Sequence, residues 1–520
     1  MQLRIPGYTF QDLFDPHRLA GLTELFRDQI RASDPDLHGR YLEYIAGRSP
    51  GSVGLSALLT DLAPHVGSFV ARVFGVEQEC AAMKLRATRD AVIFSVKKDF
   101  FIRRVLKKYG TPGLIADDLT LLERETRKIM DALPGIPRTG DELEIASALH
   151  LLLGHERFIK SDLPPATREF LSGIARVLGI DPGSTPGNTD ENLKSFLAAL
   201  LASFEKLLAL LYYGDPRRTG GWALFQVPGS FDFQHLVASD VSGGPIPGSH
   251  SGIASHLRRR DGFDLTDNRF GMREVESEID YCIFCHARDK DSCSKGFHTD
   301  EGYRKNPLGF ELKGCPLDQK ISESHFLMNG GDAVGALAVI MLDNPMVPGT
   351  GHRICNDCMK ACIYQKQDPV DIPQIETRIL TEVLDLPYGF EIYSLLTRWN
   401  PLNVSRPHAL PYNGMNILVV GLGPAGYTLA HYFLNEGFGV VAVDGLKIEP
   451  LPLELVGDGT GPFIPVKDFA TVRTSLSTRV LAGFGGVSEY GITVRWDKNF
   501  LTVLHLNLMR RRHFRVYDGV

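Results

Sequence analysis

The sequence predicts a multidomain chain with an all-α amino-terminal domain, a helical cysteine-rich domain and a closing α/β domain. Three observations carry this prediction. Apolar residues recur at helical spacing from about residue 10 to 214, seven of the eight cysteines fall between 282 and 362, and a strand–turn–helix–strand pattern begins at Met415. At 520 residues the chain exceeds what one core fills, since single cores stop growing near ~250–300 residues. The expected domains are residues 1–220, all-α; 221–275, a linker or irregular lobe; 276–400, cysteine-rich; 401–414, a linker; and 415–520, α/β.

In the first domain, apolar residues return every three or four positions, and segments such as "SDPDLHGR", "LPGIPRTGDE" and "GIDPGSTPGNTDEN" read as loops with caps and breakers. Leu193, Leu197, Leu200, Phe204, Leu207 and Leu211 share one helical face, and Glu205 with Lys206 interrupts the run, so this is a core-facing helix and no membrane span. The stretch "SVKKDFFIRRVLKKYG" interleaves Lys97, Lys98, Arg103, Arg104, Lys107 and Lys108 with apolar residues, and reads as a solvated helix side in preference to an anion-binding face. With a net charge of −6, nucleic acid is not an expected partner. "MQLRIPGYTF" lacks the basic region and apolar run of a secretory signal, so the expected location is the cytoplasm.

The cysteines form two runs. "YCIFCHARDKDSCSKGF" carries Cys282, Cys285 and Cys293, with Cys315 following in "KGCPLDQKI"; "RICNDCMKACI" carries Cys355, Cys358 and Cys362. In a reducing cytoplasm such clustering argues for metal ligation over disulfides. Cys80 stands apart in a helical pattern and reads as a small core residue. Two Cys-x2-Cys pairs could close one tetrahedral zinc site, but that leaves Cys293, Cys315 and Cys362 over. Seven thiols suit two four-ligand iron-sulfur centres with one ligand missing, and Cys315–Pro316 matches the cysteine-proline ending of cluster runs. Spacing favours iron-sulfur over zinc.

"GCPLDQKI", "GHRICNDCMKACI" and "DPVDIPQIETRILTEVL" together resemble the ferredoxin-like helical domain of the glutamate synthase small-subunit family, also the entry module of dihydropyrimidine dehydrogenase. The resemblance covers about residues 278 to 505. It implies two 4Fe-4S clusters shared crosswise: Cys282, Cys285, Cys293 and Cys362 on one, and Cys315, Cys355, Cys358 and Glu376 on the other. Glu376 closes "PVDIPQIE", where the family supplies a Glu or Gln ligand; His286, His298, Gln365 or water are the alternatives. The sequence departs from the family in spacing. Seven residues separate Cys285 from Cys293 and 21 separate Cys293 from Cys315, both longer than usual, while Cys355 and Cys358 are closer.

From Met415 the chain reads "MNILVVGLGPAGYTLAHYFLNEGFGVVAVDG". These are the parts of a Rossmann-type βαβ unit: Gly421 permits the tight turn, Gly423 lets backbone approach a pyrophosphate, and Gly426 allows close helix packing. Asp444, 18 residues after Gly426, is placed for ribose hydroxyls. Spacing alone does not separate FAD from NAD. The family resemblance implies FAD on the turn formed by Gly421, Gly423, Pro424, Ala425 and Gly426, and a flavin-side loop matched by Gly485, Gly486, Gly491 and Ile492 in "GGVSEYGIT", after an insertion over 445–484. Family members continue to a second glycine motif for a nicotinamide. Only 27 residues follow Thr493, so the expected FAD-binding domain is incomplete, and NAD(P)H is expected to act through a carboxyl-terminal continuation or a redox partner subunit.

The expected function is therefore an oxidoreductase module that relays electrons between FAD and two 4Fe-4S clusters. The alternatives are a zinc-stabilised interaction module and a flavin-free iron-sulfur electron-transfer subunit. No catalytic acid, base or nucleophile is identified from the sequence.

Overall fold

The structure, a computed structural model, describes residues 1–110, 118–180, 189–237, 239–241, 246–253, 269–445, 464–471 and 513–519. It divides into two units. Met1–Lys84, Pro228–Phe270 and Tyr281–Val520 form the first, and Leu85–Val227 with Gly271–Asp280 forms the second.

Helices α1 (Pro16–Ser33), α2 (Pro35–Ile45) and α3 (Gly51–Phe74) open the first unit. The first two begin on Asp-Pro pairs: the Asp15 and Asp34 carboxylates accept from the His17 and Leu37 N–H groups, and each proline occupies a position whose N–H would have no partner. "SDPDLHGR", expected as a loop, is thus a helix start. Gly75, at φ +71°, ends α3.

In the second unit, α4 (Glu77–Val96), which starts in the first, runs into a π-helix at Lys97–Val105, followed by α5 (Leu119–Ala132), α6 (Glu142–Glu156), α7 (Pro165–Val177) and α8 (Thr189–Tyr213). Their core holds Phe100, Phe101, Leu149, Leu152, Leu197, Phe204 and Leu208. By length and composition α3 and α8 could each cross a membrane, but both also bury an apolar face inside the protein. In the basic stretch, Lys98 pairs with Asp280, Arg103 with Asp99, Arg104 with Glu156 and Lys108 with Glu205, while Phe100, Phe101 and Val105 point inward. Helix α9 (Met272–Tyr281) leads out of this unit to the cysteines.

The expected 1–220 domain therefore divides after Lys84. Helix α3 lies against α10 (Ile321–Asn329) and α11 (Ala333–Asp343), and α12 (Ile372–Leu384) and α13 (Gly389–Leu396) complete the frame. Trp399 ties the parts together. Its ring is fully buried beside Phe26 and Phe69, at 6.1 and 5.5 Å, and its Nε1 donates to Thr23 Oγ1 at 3.0 Å. Arg398 Nε reaches the Leu13 carbonyl at 2.6 Å, and the Tyr41 hydroxyl reaches that of Pro401, also at 2.6 Å. Helical periodicity says that a face is buried, not which distant segment buries it.

Residues 401–414, expected as a linker, are packed: Leu402 is buried, and Leu410 and Asn413 N–H groups donate to the Asn435 and Gly437 carbonyls. The α/β part holds β1 (Asn416–Val420), α14 (Pro424–Asn435), β2 (Gly439–Asp444) and β3 (Phe514–Asp518), with the strands parallel in the order β1-β2-β3.

Lys97 yields a pH prediction. It is buried, its Nζ donates to Ser277 Oγ at 2.6 Å, and burial pushes its pKa down to about 8 against the pull of Glu278, Asp280 and Glu142. An unfolded lysine holds its proton to near 10.5. Between these values the unfolded chain binds more protons, so this group makes stability rise with pH across that window and leaves it flat below. Lys97→Met is expected to stabilise the protein by roughly 1–3 kcal/mol at neutral pH, after the lost hydrogen bond is counted. Urea unfolding at a series of pH values should show the gain shrinking from pH 8 upward.

Candidate metal centre and glycine turn

Cys282 follows directly on α9, and Cys285 opens a single 3-10 turn, Cys285–Arg288. Left-handed residues bracket that turn, Phe284 at φ +51° and Asp289 at φ +50°. A bulky aromatic residue at positive φ is costly and persists only where its surroundings require it. Here it turns the chain so that the Phe284 N–H donates to the Cys282 sulfur. Cys293 sits in the short helix Ser292–Lys295.

The 21 residues between Cys293 and Cys315 fold back on themselves. A ribbon pairs His298–Thr299 with Gly302–Tyr303, Lys305 bridges to Glu311, and Phe297 N–H donates to the Leu312 carbonyl. At the base the strands touch, and Cys315 N–H donates to both the Cys293 and Ser294 carbonyls at 2.9 Å. Gly314, at φ +77°, makes this crossing possible: a Cβ there would stand 2.5 Å from the Gly296 nitrogen and 2.6 Å from the Ser294 oxygen. The long spacing thus leaves Cys315 next to Cys293.

In the second run His352, Arg353 and Asn356 all have positive φ, and Cys358 lies in the helix Asp357–Lys360. Backbone N–H groups again face sulfur: Asp357 toward Cys355, Met359 toward Cys358, and Leu317 and Gln319 toward Cys315. Successive N–H groups turned inward by left-handed residues form concavities suited to anions, iron-sulfur centres among them.

Electrostatic neighbours sort the thiols. Burial pushes Cys282 up to about 12 and Cys285 to about 11, and Cys293 goes well above the usual thiol range; after burial, Asp291 and Cys362 both act on all three. Burial likewise raises Cys315, Cys355 and Cys358, and for these the acting neighbours include Glu376 in every case, with Cys355 also acting on Cys315 and both on Cys358. Cys282, Cys285, Cys293 and Cys362 are thus neighbours, with Asp291 among them. Cys315, Cys355, Cys358 and Glu376 are neighbours in turn. Among the described residues, no three His, Cys, Asp or Glu side chains form a group for a single metal ion.

Glu376, on α12, is buried, and its pKa is raised by that burial. Gln319 Nε2 donates to Oε2 at 2.9 Å and the His352 N–H to Oε1 at 3.3 Å. A Cβ on Gly351 would fall on Oε1, so the carboxylate occupies space that any other residue would fill. The other candidate side chains make contacts of their own. His286 Nδ1 lies 2.6 Å from Ser322 Oγ, Gln365 Nε2 donates to the Lys360 and Cys362 carbonyls, and His298 packs on Tyr303 at 4.8 Å. Cys80 is partly buried on α4, and burial pushes it up to about 11.

Sequence reasoning missed several polar residues around these sets. Asp291 is buried, its Oδ1 lies 3.3 Å from Cys293 Sγ, and burial with nearby Glu323 pushes it up to about 6. Ser56 of α3 donates to Glu323 at 2.5 Å, and Ser52 to Asp289 at 2.6 Å. Gln319 stands four residues after Cys315 in "GCPLDQKI", where the Cys-Pro pair draws the eye first.

At the glycine turn, Gly421 has φ +90° and its N–H donates to the Val443 carbonyl at 2.8 Å. Gly423 caps α14, with Pro424 as its first residue, and a Cβ on Gly426 would fall on the Gly421 carbonyl oxygen. Asp444 ends β2 and accepts from the Leu422 N–H inside the turn. Gly485, Gly486, Gly491 and Ile492 lie outside the described residues.

The family model described as "RP005 N-terminal alpha-helical domain" matches residues 3–75, the segment that holds α1 to α3. The chain is similar to two proteins of Rickettsia prowazekii (strain Madrid E). With "Uncharacterized protein RP006" it is 58% identical over 175 residues, 34% of this chain and 24% of that protein. With "Uncharacterized protein RP005" it is 25% identical over 329 residues, 59% of this chain and 92% of that protein. The chain thus spans about a quarter of the length of the first relative and most of the second.

The turn's geometry is directly testable. Gly426→Ala must push α14 away from the Gly421 carbonyl, and is expected to destabilise the protein by ~1–3 kcal/mol, as overpacking of close contacts does. Thermal melts followed by circular dichroism would register the loss.

Proposed function

We propose that the protein is an FAD and iron-sulfur oxidoreductase module that relays electrons between a flavin and two 4Fe-4S clusters. What supports this reading is that Cys282, Cys285, Cys293 and Cys362 lie near one another, as do Cys315, Cys355, Cys358 and Glu376, with left-handed residues and N–H groups beside both groups. Cys282, Cys285, Cys293 and Cys362 would hold one cluster, and Cys315, Cys355, Cys358 and Glu376 the other. Once bound, the clusters supply one-electron and the flavin two-electron chemistry. The chain's own residues bury the site, aim donors at sulfur and keep Glu376 in place. The buried thiols raise one another, a repulsion that the positive charge of a metal centre reverses.

Gly421, Gly423, Pro424, Ala425 and Gly426 would hold the ADP half of FAD. The N-terminus of α14 and the open backbone of the turn suit its pyrophosphate, with Asp444 at the neighbouring strand end. A nicotinamide would exchange hydride through a further domain or a redox partner subunit. Free thiols throughout suit a reducing cytoplasm.

Anaerobic purification with counting of iron, acid-labile sulfide and acid-released flavin tests the proposal. The wild type should hold about eight irons and eight sulfides, the content of two such clusters. Cys293→Ala and Cys358→Ala should each lose about half of that iron, and the double variant nearly all. A colourless protein containing zinc would overturn the reading.

A further inference from the structure

Glu376 differs from the other seven proposed ligands in being a carboxylate placed by side chains from other elements. Thr350 Oγ1 meets Asn344 Oδ1, Asn344 Nδ2 lies 3.5 Å from Gln319 Oε1, and Gln319 Nε2 donates to Glu376 Oε2 at 2.9 Å, a carboxylate that the Asn344 side chain also hydrogen-bonds. Gln319 and Asn344 are both 4% exposed. An ionised carboxylate only accepts, so the Gln319 amide presents its nitrogen, a donor, to Glu376. A donor on a ligating carboxylate withdraws negative charge from it and fixes which lone pairs remain to face a metal.

We propose that Gln319 is a positioning residue that sets the reduction potential of the centre held by Cys315, Cys355, Cys358 and Glu376. This rests on the iron-sulfur reading above. The Gln319 side chain touches the Glu376 carboxylate, while its backbone N–H separately serves the Cys315 sulfur. Gln319→Leu removes the first contact and keeps the second, at nearly constant volume. Without the amide donor the carboxylate gives more charge to iron, and the oxidised centre gains stability over the reduced one.

The test is a redox titration followed by electron paramagnetic resonance on the anaerobically reconstituted full chain, with iron and sulfide counted in each sample. Gln319→Leu is expected to keep its iron, lower one midpoint potential and change the corresponding signal, while the other midpoint stays where it is. Asn344→Ala, which removes a second amide from the same carboxylate, should move the same midpoint in the same direction. If Gln319→Leu sheds half its iron, Gln319→Met, which keeps the side chain's reach without its donor, decides: a shift confined to one midpoint supports the proposal, and none overturns it. Full iron with both midpoints unmoved, or both moved equally, also overturns it. A wild type without iron and sulfide is a different failure, because it removes the reading beneath this one.

Discussion

The gathering of groups that favour negative charge, largely screened from water except at the exposed Cys355, is the constraint that the helices of the first unit close around. Six of the clustered thiols and Glu376 are all driven toward their neutral forms by burial, and several press on one another as well. Such an interior is unfavourable unless opposite charge or directed donors answer it. The backbone supplies the donors, and it does so in conformations that are themselves strained. Phe284, Asp289, His352, Arg353 and Asn356 each accept a left-handed geometry beside a cysteine run, at ~1–3 kcal/mol apiece for such residues. Among the described residues, most of the non-glycine left-handed positions fall beside the cysteine runs, with Tyr388 the exception.

The helices that hold the strain in place come from far away in sequence. α3 brings Ser52 and Ser56 to Asp289 and Glu323, and α1 and α3 close over Trp399 with Phe26 and Phe69. The segment recognised by the amino-terminal family model is therefore part of the scaffold around the first thiol set. Deep packing of a large aromatic ring, with its N–H satisfied by Thr23, makes that docking directional as well as apolar.

Much of this was legible in the sequence, for identifiable reasons. Cysteine is scarce and chemically distinct, so its two runs stand out in the sequence, and the structure brings Glu376 of "PVDIPQIE" near Cys315, Cys355 and Cys358. Gly421, Gly423 and Gly426 are read easily because a strand-to-helix turn leaves few other choices. Other features were hidden. The Asp-Pro pair at residues 34 and 35 starts a helix but looked like a breaker, and the boundary after Lys84 depends on which distant surface an amphipathic helix meets. Gln319, Asn344 and Asp291 are ordinary polar residues until the fold buries them beside Glu376 or Cys293, and no local pattern marks that event.

The hairpin between Cys293 and Cys315 begins and ends at one point, where Cys315 is hydrogen-bonded to the carbonyl of Cys293. Its tip stands apart from the two cysteines at its base. Chain length there is free to drift, since closing a longer loop adds only a logarithmic entropy term. The same separation makes the tip a natural grafting point, a place where an epitope or reporter could be carried with both cysteines left in register.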